Sequence, residues 1–139
     1  VAEGAPDAGP VSSQLRNWPV QLKLVPPGAP YFNDADLLVA ADCVPFACAD
    51  FHQKFLKGNP VVVGCPKLDD VGHYVEKLKD ILVASSIKSI TVFHMEVPCC
   101  TGIVKIAEAA LQQSGKSIPM RDVTIGIDGQ VREESDWKS

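Results

Sequence analysis

Asp36-Leu37-Leu38-Val39-Ala40-Ala41-Asp42-Cys43 is the stretch whose reading decides the fold. Its middle carries no polar residue. A strand with one wet face alternates apolar and polar side chains, whereas one covered on both faces, as in a parallel sheet, is apolar throughout. Three more stretches repeat the pattern: Pro60-Val61-Val62-Val63-Gly64-Cys65, Ser89-Ile90-Thr91-Val92-Phe93-His94-Met95-Glu96 and Val123-Thr124-Ile125-Gly126-Ile127-Asp128. A fifth, Val20-Gln21-Leu22-Lys23-Leu24-Val25, alternates and is stopped by Pro26-Pro27-Gly28, which predicts an edge strand.

The connections read as helices. Val71, Tyr74, Val75, Leu78, Ile81 and Leu82 recur at helical spacing with Lys, Glu and Asp opposite them, after Asp69 or Asp70 as N-cap. A second helix is predicted from about Thr101 to Gln113, burying Ile103, Val104, Ala107, Ala110 and Leu111 and stopping at Ser114-Gly115. A shorter one is predicted over Asp50 to Leu56, before Gly58. Strands that alternate with helices pair in parallel through right-handed crossovers, so helices should cover both faces of the sheet. The expectation is an α/β domain of three layers, Rossmann-like or flavodoxin-like, with a mostly parallel sheet of about five strands. Its boundaries are read as a flexible lead-in over 1–14, rich in Ala, Gly, Pro and Ser, one domain over 15–131, and a tail over 132–139.

With 139 residues, 46% of them hydrophobic, the chain can build one real core. No apolar run approaches the length of about 20 residues that spans a bilayer, and Val1-Ala2-Glu3-Gly4 is not expected to act as a signal peptide. The expected setting is the cytoplasm. A first residue other than methionine leads to the expectation that the chain is processed or belongs to something longer. The net charge of −4, with Lys and Arg scattered, lacks the basic face that phosphate backbones require, so neither nucleic acid nor membrane is expected as a partner. Five cysteines is an odd number, and in this setting they read as thiols or ligands rather than as staples.

Three of the predicted strands end in cysteine. Cys43 closes the first, Cys65 the second, and Cys99-Cys100 follow the third after a Val97-Pro98 turn. In an open parallel sheet the groups at the carboxyl ends of the strands converge, and thiolate sulfur is the soft donor that suits zinc or an iron–sulfur cluster. Cys43, Cys65, Cys99 and Cys100 are therefore the candidate cofactor and metal ligands. The pair Cys99-Cys100 precedes the Thr101 helix, whose free N–H groups would favour an anionic centre. A lone cysteine is more often a small core hydrophobe, and Cys48, which forms only C-x4-C with Cys43, is read as a core or helix-entry residue. Lys67, two residues after Cys65, carries little weight. His94 and Glu96 share a strand face and could join a metal site or act as acid and base, but structural hydrogen bonds are the simpler reading. His52 and His73 read as solvent-facing, and no G-x-G-x-x-G or P-loop cradle for a nucleotide phosphate is present.

The segments Ala41-Asp42-Cys43, Gly64-Cys65-Pro66-Lys67-Leu68-Asp69-Asp70 and Met95-Glu96-Val97-Pro98-Cys99-Cys100, with Trp18-Pro19-Val20-Gln21-Leu22 and Val25-Pro26-Pro27, resemble the C-terminal portion of a family of ferredoxin-like 4Fe-4S proteins from anaerobic microbes. The likeness runs from Ser13 to about Gly129. It implies a small redox protein in which Cys43, Cys65, Cys99 and Cys100, but not Cys48, fall on motif positions. The family's C-x2-C-x2-C-x3-C runs are absent here and would lie upstream of Val1. The resemblance thus implies an iron–sulfur setting for a whole protein, with a redox partner protein or an upstream ferredoxin domain of the same chain as the partner. That this domain itself holds a 4Fe-4S cluster rests on the convergence of the strand ends. Three other readings stay open: a structural zinc domain on the same four ligands, a thiol enzyme with Cys99 or Cys100 as nucleophile and His94 or Glu96 as its proton partner, and a metal-free interaction module with core cysteines.

Overall fold

The computed structural model describes residues 11–97 and 102–137. Five strands form one sheet: β1 Asp36–Ala41, β2 Val61–Gly64, β3 Ser89–Met95, β4 Met120–Ile125 and β5 Val131–Trp137. Their order is β2-β1-β3-β4-β5. β1 pairs in parallel with β2 and β3, β3 in parallel with β4, and β5 runs antiparallel to β4. This is the doubly wound order in which the chain reverses its direction of travel between β1 and β3.

The side-chain period of two divides the sheet into two cores. Leu37, Val39, Val62, Ile90, Val92 and Met120 face the helices α2, Val71–Ala84, and α3, Gly102–Ser114, meeting Tyr74, Leu78, Ile81, Ile103 and Ile106. Leu38, Ala40, Val61, Phe93, Val123 and Ile125 face the opposite layer, made of the short helix α1, Val44–Ala47, and a π-helical segment, His52–Leu56. There Phe51, Phe55 and Phe93 pack edge to face or tilted, with centroids 4.7 to 6.0 Å apart. Each fully buried Leu, Ile or Phe contributes about 1.5–3 kcal/mol, and both faces are needed to hide strands this apolar. The three-layer arrangement anticipated from the apolar runs is the one observed. Among the described residues, no helix is long and apolar enough to cross a membrane.

Two local expectations are corrected. Val20–Val25 is not an edge strand: one bridge, Gln21 with Val63, joins it to β2, and the Leu24 and Val25 N–H groups then donate to Gln21 O at 2.8 and 3.2 Å. Leu22 and Val25 are buried while Leu24 is 67% exposed, so burial recurs every three residues as in a turn rather than every two. The stretch read as a tail, 132–139, holds most of β5, up to Trp137. Arg121 binds Glu134 at 3.2 Å and Asp136 at 3.5 Å, tying β5 to β4 through polar side chains that leave no apolar signature. At the other end, residues 1–10 of the predicted lead-in lie outside the described residues, whereas the N–H of Gln14 donates to His52 Nδ1 at 3.0 Å. The expected helix over Asp50 to Leu56 is the π-helical segment.

Candidate metal centre

β1 and β2 end side by side. Ala41 is in register with Gly64, and the N–H of Asp42 donates to Gly64 O at 3.1 Å, carrying the ladder one residue past the strands. Cys43 and Cys65 therefore leave the same edge of the sheet. Both line one open cavity of about 570 Å³, whose other walls are Ala41, Asp42, Phe46, Pro66, Lys67 and Leu68. The walls are largely apolar, and Phe46 and Leu68 at the rim are 92% and 78% exposed. Cys43 is exposed, with Sγ 3.6 Å from Asp42 Oδ1, and Cys65 is half-buried. Lys67 adds one positive charge to the rim.

The loop after Cys65 is fixed from several sides. Its carbonyl accepts from the N–H groups of Leu68 and Asp69, both at 3.1 Å, and its own N–H donates to the Tyr74 hydroxyl at 3.2 Å. Asp70 is the N-cap of α2, with Oδ1 accepting from Gly72 N–H at 2.8 Å. Tyr74 is fully buried and donates to Asp69 Oδ2. Burial, and then the hydrogen bond to Asp69, pushes its pKa up to about 12.

Cys99 and Cys100 lie outside the described residues. The residues on either side of them do not: Glu96 N–H donates to Ile125 O at 2.9 Å at the end of β3, and α3 starts at Gly102. A Cβ on Gly102 would stand 3.1 Å from Pro66 Cγ, so the start of α3 sits against the residue next to Cys65. Among the described residues no group of three or more His, Cys, Asp or Glu is arranged to hold a metal ion. Of the four expected ligands, then, Cys43 and Cys65 are brought together, and Cys99 and Cys100 lie outside the described residues, in the stretch that precedes Gly102.

The remaining candidates point elsewhere. Cys48 is buried on the other side of the sheet, in the Phe51 and Phe93 core, with Sγ 3.3 Å from Asp50 Oδ1. Burial raises its thiol pKa, and the Asp50 hydrogen bond and charge add to the shift. His94 is buried, with Nδ1 3.0 Å from Met95 O and Nε2 3.2 Å from Thr124 Oγ1 and 2.7 Å from Asp122 Oδ1. Glu96 Oε2 accepts from Ile127 N–H at 2.9 Å, and Oε1 lies 3.6 Å from Arg132 Nε. Both side chains are thus engaged by β4, β5 and their turn. His73 is exposed and His52 accepts from Gln14.

Residues 29–138 match the family described as Rossmann-like domain. The chain belongs to that family. A protein of Archaeoglobus fulgidus, described as an uncharacterized protein, is 32% identical to this Rossmann-like domain over 118 residues, covering 85% of this chain and 83% of the relative. No solved structure matches it. Ligands of open α/β sheets bind outside the carboxyl ends of the strands, where the strand order reverses. In this Rossmann-like domain the reversal lies between β1 and β3, the strands that lead to Cys43 and to Cys99-Cys100.

Sequence reasoning overlooked two contributors. Tyr74 sits on the apolar face of α2 and reads as core, and Phe46 lies in a stretch with no period; only an aromatic carrying a hydroxyl within ten residues of Cys65 hinted at the first.

Proposed function

We propose that this Rossmann-like domain binds a metal centre through cysteine thiolates at the carboxyl edge of its sheet, and that the centre is a 4Fe-4S cluster serving electron transfer. The observation that carries the reading is that Cys43 and Cys65, 22 positions apart in sequence, line one apolar-walled cavity. The abutment of Gly102 on Pro66 supports Cys99 and Cys100 as the other two ligands, because in sequence they stand three and two positions before a residue that lies against a wall of the cavity. Thiolates are the donors such clusters take, and largely apolar walls with few competing oxygen ligands suit a soft centre. When bound, the cluster would supply one-electron redox chemistry. The protein's own part is to hold the four sulfurs, shield them partly from water and leave one edge open. The exposed rim suits exchange with a redox partner protein or with a ferredoxin domain upstream in the same chain, in the reducing cytoplasm that keeps thiols available.

The test is elemental analysis with an absorption spectrum on protein purified without oxygen. Iron with sulfide and broad absorption in the visible are expected; zinc alone would make the centre structural, and a metal-free, colourless protein after reconstitution with iron and sulfide would end the metal reading.

A further inference from the structure

One polar atom of α2 reaches the cysteine edge from beneath. The ring of Tyr74 fills the space that a side chain on Gly64 would need: a Cβ there would stand 2.6 Å from Cζ and 2.7 Å from the hydroxyl oxygen. The glycine just before Cys65 is what lets the phenol approach the strand end so closely. Packing alone would be served by phenylalanine. A buried hydroxyl needs partners, and this one finds them in the cysteine loop: it accepts the N–H of Cys65 at 3.2 Å and donates to Asp69 Oδ2, with the Gln21 carboxamide 3.4 Å away. Asp69 is itself 3.8 Å from Lys23 Nζ, so the bracket is tied to a second segment.

Building on the metal reading above, we propose that Tyr74 is a positioning residue for Cys65, fixing the peptide from which that thiol faces the cavity. With the Cys65 N–H and carbonyl both engaged, the thiol is left with side-chain rotation as its main freedom. Partners one step removed from metal ligands typically change affinity by about 10–100-fold when lost, and Tyr74 has that place for Cys65. It touches no ligand atom of sulfur itself; its action runs through the backbone.

The experiment compares the full chain with Tyr74→Phe, which keeps the ring. Cobalt(II) is titrated into each reduced protein, and in the metal-free proteins the rates of iodoacetamide alkylation at Cys65 and Cys43 are read separately by mass spectrometry. The expected result is a thiolate–cobalt band of similar intensity per bound ion, an affinity lower by roughly 10–100-fold, and a changed Cys65 to Cys43 rate ratio. A merely structural role would shift the unfolding midpoint and both thiols together. An unchanged ratio with unchanged affinity overturns the proposal. Failure of the unaltered chain to bind cobalt would instead count against the metal reading, and the alkylation ratio would still decide the role of Tyr74. Should Tyr74→Phe not fold, Asp69→Ala, which removes the acceptor of the hydroxyl together with the exposed pairing to Lys23, is read by the same two measurements.

Discussion

Gly102, the first residue of α3, lies against Pro66, with 3.1 Å between Pro66 Cγ and the point where a Cβ on residue 102 would sit. Alanine in a helix is favoured over glycine by about 1 kcal/mol, and a contact of this closeness requires the proline to give by a few tenths of an ångström. The two effects oppose one another. Gly102→Ala should therefore leave stability within about 1 kcal/mol of the original, while Gly102→Val, which adds bulk and χ1 restriction, should push α3 from the Cys65 loop and weaken metal binding. Thermal unfolding of the metal-free protein and metal titration of both variants check this together. Weakened binding in neither would separate the start of α3 from the site.

Cys65→Ser and Cys48→Ser differ sharply in expected outcome. Cys65 lines the cavity, and replacing its sulfur by a hard hydroxyl should remove the metal or cut its occupancy by more than about tenfold. Cys48 is 2% exposed on the far face, beside an acceptor on Asp50 that a hydroxyl can use. Its change to serine should leave metal content intact and cost about 1 kcal/mol of stability, the net scale of one buried polar group that keeps its hydrogen bond. Metal content per chain after anaerobic purification distinguishes the two, and equal losses would refute the assignment.

The strands that were legible in the sequence are those buried on both faces, because burial there leaves no room for polar residues: Leu37 to Ala41 in β1 and Val61 and Val62 in β2 are all buried. Where solvent or a salt bridge replaces apolar packing, the signal disappears. β5 is Arg-Glu-Glu-Ser-Asp between Val131 and Trp137, and β4 begins at Met120 although Arg121 and Asp122 interrupt its apolar run. The convergence of Cys43 and Cys65 was legible from strand ends alone, since parallel neighbours must end on one edge. The bracket of Tyr74 and Asp69 was not, because a tyrosine at a helical core position carries no mark of what its hydroxyl reaches.

Removing β5 should be costly despite its polarity. It supplies six register pairs to β4, from Met120 with Trp137 to Ile125 with Val131, and its Arg132 holds Asp128 at 2.8 Å and Glu96 at 3.6 Å. Exposed ion pairs are worth under about 1 kcal/mol each, so the larger loss is the uncovered hydrogen-bonding edge of β4, which also invites association. A chain ending at Gln130 should lose more than about 2 kcal/mol, roughly 8 °C in its unfolding midpoint, and show concentration-dependent aggregation. Retention of the full midpoint in a monomeric protein would mean that β5 adds nothing beyond the domain limit read at residue 131.

Alkaline titration gives a check on the buried phenols. The chain has two tyrosines, and burial raises the pKa of both: Tyr31 moves upward, and Tyr74, with its hydrogen bond to Asp69, reaches about 12. A raised folded-state pKa means that the folded protein holds the phenol proton more tightly than the unfolded chain does. The associated stability is fully present below the unfolded value near 10 and is lost as pH rises through the folded values. Phenolate absorbance at pH 10 should therefore be lower in folded protein than in denaturant, where it is half-developed, and the unfolding midpoint should fall as pH rises from about 10 towards the Tyr74 value of about 12. In Tyr74→Phe, the remaining phenol should titrate closer to the ordinary range, and the fall should flatten. Half ionisation at pH 10 without denaturant would contradict the burial of both rings.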